Sequence, residues 1–296
     1  VTDMKHGNIQ SATIELPQET IAFLNVKHPL LKDVRLRQAL NLAIDKHELQ
    51  ELIGDNARVV GSPFPFIEAT STYSSDIEGA RILLNTLGWR LPADGSVRVF
   101  EALVTPRSKS KNTAPSTPKP THSSSTELAL TIDLPNQADL IKVAELLKRR
   151  WSLLGIRVDV QAHNPEDLLQ NAISKRNYQV LLWNVLLSPT QDISVFWHSD
   201  NTNNQGLNLS NLTDRDVDQA LDATKTATST NAFEAARQTL SNMILKQTPA
   251  IFLLRPAYAY LLSQDVKGVR NMRLSRPSER LLRASDWYLS TSWKWR

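Results

Sequence analysis

Short apolar runs alternate with amphipathic segments along most of this chain, and the two periodicities predict strands and helices in turn. Ile21–Val26 is an apolar run bounded by His28-Pro29 and predicts a buried strand. Asp33 is placed to cap a helix, DVRLRQALNLAI, with Val34, Leu36, Leu40 and Ile44 at helical spacing. Asp45 is placed to cap a second, KHELQELI, closed by Gly54, and Asp76 to open a third that ends at Gly88. Leu128–Ile132 predicts a strand, Asp139–Leu154 an amphipathic helix with Leu140, Val143, Leu146, Leu147 and Leu154 on one side, and Ile156–Val160 another strand after Gly155. Pro165 opens a further helix and Tyr178–Trp183 predicts the next strand. Two helices, Asp214–Lys225 and Asn231–Gln247, precede two more apolar strands, Pro249–Leu254 and Tyr258–Leu262. The tail from Arg270 to Arg296 has little periodicity. Strands separated by helices indicate an α/β layered domain with a largely parallel core sheet.

One stretch breaks the pattern. Residues 105–126 carry no large apolar side chain, which predicts a flexible insertion. The segment also explains the charge. The chain of 296 residues has a formal net charge of +4, and Arg107, Lys109, Lys111 and Lys119 account for it. The remainder is close to neutral, so a nucleic-acid-binding face is not expected. At 41% hydrophobic and 22% charged residues the chain can bury a core, and no apolar run approaches the length of a membrane span. The absence of cysteine excludes disulfides, thiolate metal sites and a lipid-anchor cysteine within this chain. Val1 is not an initiator and no signal peptide precedes it, so a fragment or processed form is expected.

Local signatures of catalysis are missing. The 9 glycines form no phosphate loop, the histidines form no metal-spaced pair, and neither GxSxG nor HExxH occurs. The charged clusters Asp45–Glu48, Asp214–Asp216 and Ser278–Arg280 sit at predicted helix starts or turns, where capping accounts for them. The stretch Trp183–Trp197 is richer. It follows a strand at its C-terminal end, the edge where open α/β sheets bind ligands. It offers two indoles, an amide, hydroxyls and a carboxylate, a set suited to gripping a small molecule, although either indole could equally anchor the core.

Several segments, in order, resemble family 5 extracellular solute-binding proteins, the dipeptide-, oligopeptide- and nickel-binding group of ABC importers. Asp33-Val-Arg-Leu-Arg-Gln-Ala-Leu-Asn-Leu-Ala-Ile-Asp45 is similar to the family's hallmark helix, with Asn25 upstream in its expected place. Asp76 to Trp89, Leu146 to Val160, Asn208 to Leu221, Pro249–Leu253, Lys267-Gly268 and Trp287-Tyr288 resemble further family segments. The resemblance implies a periplasmic-binding-protein-like lobe of the type II, or cluster C, clamshell, with a mixed, mainly parallel sheet flanked by helices. It implies that residues 1–20 end the N-terminal lobe or form the hinge. Residues 21–104 and 127–265 would be the two parts of the C-terminal lobe, split by the insertion at 105–126, and 266–296 would return toward the other lobe.

The implied function is capture of a peptide or related small solute outside the cytoplasmic membrane and delivery to an ABC transporter permease. No catalysis, cofactor or metal is implied. Membrane contact would come only through an anchor outside this chain, and the full-length protein would be a monomer. Peptide-binding members hold the ligand's amino group with an acid in the loop after the strand matched by Tyr178–Trp183. Here Ser188 stands at that position, and Asp192 matches the acid of the following turn with Ile193 in place of proline. The ligand is then a peptide held differently, or another solute. Trp183, Asn184, Ser188 and Asp192 are the expected ligand-binding residues, and Asn25 is expected to be a structural turn residue. Two rival readings are a degenerate fold serving as a sensor or interaction module, and a hydrolase whose Ser, His and Asp assemble only in three dimensions.

Overall fold

The computed structural model describes residues 9–15, 18–54, 57–64, 75–100, 126–187, 192–269 and 277–290. Helices α1 (Val34–Leu42), α2 (Lys46–Ile53) and α3 (Ile77–Thr86) start where the three aspartates predict. The Arg35 amide donates to Asp33 at 2.9 Å, that of His47 to Asp45 at 3.0 Å and that of Gly79 to Asp76 at 2.7 Å. Each bond satisfies a first-turn N–H that has no partner within its helix. Gly54 caps the end of α2, and Gly88 follows α3 at φ 87°.

A seven-stranded sheet runs through the middle, with β1 (Ile9–Glu15), β2 (Gln18–Leu24), β3 (Ala57–Val59), β6 (Ala129–Pro135), β7 (Arg157–His163), β8 (Val180–Leu186) and β9 (Ala250–Ser263). The order is β1-β9-β2-β8-β6-β7, and β3 also pairs with β9. Two short pairs lie apart, β4 (Trp89–Arg90) with β5 (Val99–Phe100) and β10 (Val266–Lys267) with β11 (Tyr288–Leu289).

The sheet is mixed, but the expectation of a mainly parallel one needs correction. Parallel pairing is confined to β6 with β7 and β6 with β8, while β2, β9, β1 and β3 join through antiparallel ladders. The parallel part is the stretch in which α4 (Ala138–Ser152) and the α5 segment (Pro165–Asp167) carry the chain from strand to strand. Hydrophobic periodicity reports that a segment is a strand, not which way it runs. A second correction concerns the C-terminal strands. Pro249–Leu254 and Tyr258–Leu262 form one strand, β9, and Pro256 does not break it. Pro256 stands at a changeover: β2 pairs up to Leu254 and β1 takes over from Ala257. A residue without an N–H is tolerated there because neither of those ladders asks it for a donor. The helix expected from Pro165 is a single α-turn that continues as a π-turn over Leu168–Ile173.

Helices cover both faces. On one, Leu36 and Leu40 of α1, Leu84 of α3 and Leu140, Val143, Leu146, Leu147 and Trp151 of α4 pack on Ala22, Leu24, Ile132 and Leu182. The Trp151 indole N–H donates to the Leu40 carbonyl at 3.0 Å, so its one polar atom is satisfied inside the core. On the other face, α6 (Ser194–Trp197), α7 (Arg215–Thr226) and α8 (Thr230–Gln247) pack on Ile21, Phe23, Leu181 and Phe252. Arg37 locks the arrangement from below. It is 3% exposed and donates to the carbonyls of Leu31, Lys32, Gln247 and Thr248. Burial pulls its guanidinium down to about 10. The insertion expected at 105–126 falls outside the described residues except for Thr126.

Candidate functional site

The parallel strands β6 and β8 end at one edge of the sheet, and α4 starts there. A cavity of about 520 Å³ opens at this edge, lined by Gln18, Thr20, Leu52, Gln137, Asn184 and Pro256 among others. Thr20 and Asn184 are cross-strand partners in the β2–β8 ladder, and the Thr20 hydroxyl donates to Asn184 Oδ1 at 2.7 Å. That bond fixes the amide so that its NH2 group remains free of protein partners among the described residues. The walls combine neutral amides and a hydroxyl with Leu52, Ile53, Leu140 and Val143, and Asp139 and Lys142 stand in the first turns of α4. Few polar groups on an apolar wall suit a small solute.

The four expected binding residues separate. Asn184 lines the cavity. Trp183, one residue earlier in β8, lies opposite Ile21 and packs, half-buried, against the core of the other face. Alternation along a strand dictates this split. Asp192 lies just before α6, accepts from the Ser194 amide at 2.8 Å, and pairs with Lys225 at 3.3 Å. Partial burial pulls its carboxyl upward, but the bonds from Ser194 and Lys225 outweigh it and hold the group below the usual carboxylate range. Ser188 lies outside the described residues. Trp197 is a core anchor, 2% exposed between Phe23 at 6.0 Å and Phe252 at 5.8 Å.

Sequence reasoning missed Thr20, Gln18 and Gln137. A usable signal existed for Thr20, the one hydroxyl in an otherwise apolar run from Thr20 to Leu24. Asn25 is the turn residue it was expected to be. Its amide donates to the carbonyls of Tyr178 and Arg176, and its oxygen accepts from the Lys27 amide and from Asn211. A second polar depression of about 480 Å³ lies beside it, lined by Lys27, His28, Asp133, Arg176 and Gln179 among others. There Asp133 meets His163 at 2.8 Å, and burial raises its carboxyl above the ordinary value.

The hydrolase reading finds no assembled triad among the described residues. Among the described residues the Ser194 hydroxyl is buried without a hydrogen-bond partner, and His198 faces Asp200 at 3.5 Å and Asp218 at 3.9 Å with no serine hydroxyl on it. No group of three or more His, Asp or Glu side chains fit to hold a metal occurs among the described residues, and no described helix is long and apolar enough to cross a membrane.

The fold has solved counterparts. The oligopeptide-binding protein AppA from Bacillus subtilis, in complex with a nonapeptide, superposes with a TM-score of 0.76 at 16% identity, covering 98% of this chain and 54% of that one. NikZ from Campylobacter jejuni, in complex with Ni(L-His), gives 0.73 at 20% identity, covering 96% and 54%. The periplasmic binding protein DppA from Helicobacter pylori, in complex with the peptide STSA, gives 0.72 at 16% identity, covering 97% and 50%. The chain thus spans about half the length of these structures. No curated protein matches the sequence significantly. A family model described as bacterial extracellular solute-binding proteins, family 5 middle, matches residues 5–206. With about two thirds of its length in that match, the chain belongs to the family 5 bacterial extracellular solute-binding proteins.

Proposed function

We propose that this chain is the C-terminal-lobe part of a binding protein that captures a peptide or related small solute outside the cytoplasmic membrane and hands it to an ABC permease. The observation that carries the reading is the cavity at the C-terminal edge of β6 and β8, with the Asn184 amide held by Thr20 and its NH2 group open. Binding sites of open α/β sheets form at this edge. Asn184 contacts the solute, Ser188 and Asp192 belong to the loop that follows, and Trp183 supports β8 from the opposite face. Residues 1–20 and 266–296 lead toward the second lobe, 21–104 and 127–265 make this one, and 105–126 is an insertion. Recognition uses shape and hydrogen bonds and makes or breaks no covalent bond. The peptide- and nickel-complexed neighbours favour transport over a degenerate sensor.

Native mass spectrometry of the two-lobed protein, purified without denaturation, tests this. A bound species of peptide or similar small-solute mass, lost on unfolding, is expected. A protein that stays empty after incubation with mixed di- and tripeptides and with nickel-histidine would contradict transport of this solute class.

A further inference from the structure

Glu19 and Arg255 sit 236 residues apart in sequence and form the most deeply buried ion pair among the described residues. Arg255 Nη2 donates to Glu19 Oε1 at 2.7 Å, and the two residues are 4% and 0% exposed. The second carboxylate oxygen of Glu19 is buried with no hydrogen-bond partner among the described residues. Their position matters more than their burial. The β2–β9 ladder carries a register shift between Thr20 and Ile21 and ends at Thr20–Leu254. Glu19 and Arg255 are the next residues outward, so a side-chain pair stands where the ladder stops. Pro256 follows, and from Ala257 to Ser263 strand β9 pairs with β1. Among the described residues β1 pairs with β9 alone, so these two strands leave the sheet as a ribbon rooted at the ion pair.

We propose that Glu19 and Arg255 form the joint of a movable β1–β9 ribbon, and that proton binding at Glu19 tightens it. Taking a carboxylate and a guanidinium out of water costs more than their attraction returns unless every polar atom is satisfied, and one oxygen of Glu19 is not. Burial accordingly pushes the Glu19 carboxyl up to about 7, against the pull of Arg255. When the joint opens, Glu19 meets water and returns toward its ordinary 4.5. The closed joint therefore holds the proton more tightly than the open one. Closure is favoured as pH falls from about 7 toward 4.5, and above about 7 the buried carboxylate favours opening.

The charged surroundings do not mimic this. Arg58 of β3 lies opposite Arg255 in register, Glu15 of β1 stands opposite Ala257, two residues on from Arg255, and no titratable residue lies in β8, where Val185 faces Glu19. Over the Val60–Phe64 segment, Arg237 of α8 pairs with Glu234. Lys46 of α2, bonded to the Val60 carbonyl, is lowered by burial to about 8. Its effect has the opposite sign, because the folded state favours neutral Lys46 as pH rises.

The joint exists whatever solute the cleft takes, so its test uses none. Amide hydrogen exchange of β1 and of residues 257–263, corrected for intrinsic rates, is measured at about pH 6 and about pH 8.5. Opening of the ribbon should increase about tenfold or more at the higher pH, and the amides of β6 and β7 should not follow. Glu19→Gln, neutral at both pH values, should remove the rise. Should Glu19→Gln fail to fold, the paired apolar replacement Glu19→Leu with Arg255→Met should fold and be equally insensitive. A wild-type ribbon with no rise, a rise that persists in these variants, or a rise shared equally by β6 and β7 would each overturn the proposal.

Discussion

Two asparagines on neighbouring strands mark opposite edges of the same sheet and do opposite things. Asn25, at the end of β2, has both donors and its acceptor oxygen engaged by the protein, twice over for the oxygen, and is 5% exposed. The side chain of Asn184, near the end of β8, has one protein hydrogen bond among the described residues, to its oxygen, and faces a cavity. A fully engaged amide is a rivet, because losing it strands several buried groups at once. An amide held by one side only is oriented without being used up. The same residue type thus separates the structural edge of this sheet from the edge proposed to bind.

Three variants press on that contrast. The largest effect is expected from Asn25→Ala. It should cost roughly 3 kcal/mol of unfolding free energy, since the carbonyls of Tyr178 and Arg176 and the side chain of Asn211 lose their partner. Denaturant titration reads this, and a loss below about 1 kcal/mol would erase the distinction. Asn184→Ala should do the reverse. Stability should change by less than about 0.5 kcal/mol, while solute affinity in the two-lobed protein should fall about tenfold, the worth of one hydrogen bond to a desolvated ligand group. A variant that unfolds without losing affinity would make Asn184 a second rivet. Deleting residues 105–126 should have the smallest effect, with a melting temperature within about 2 °C of the parent, because the segment has no large apolar side chain to contribute. A drop of several degrees would show that it packs on the lobe.

Local features of the fold were legible. Asp33, Asp45 and Asp76 announce their helices because capping needs a short acceptor at a fixed offset, and the α4 stripe from Leu140 to Leu147 is buried as its spacing predicts. Strand direction was not, because β2 and β9 enter the sheet from segments more than 200 residues apart. The continuity of β9 through Pro256 depends on a changeover between β2 and β1 that no local pattern encodes. At the candidate site, the C-terminal end of β8 was legible as a place, but its partners were not. Thr20 meets Asn184 from 164 residues away. That Trp183 and Asn184 face apart follows from the two-residue repeat of a strand, a signal present in Leu181, Trp183 and Val185. The apolar spacing of α1 gives Arg37 no role, and only the packed structure reveals the carbonyls it gathers.

The central claim is that the Thr20–Asn184 edge is the wall against which a solute is held. Calorimetric titration of the two-lobed protein with a pool of di- and tripeptides, and then with single peptides from it, tests this most directly when run in parallel on Asn184→Ala. The account predicts saturable binding by the parent protein and about tenfold weaker binding by the variant, with both proteins equally folded. Equal affinities in the two proteins would contradict it.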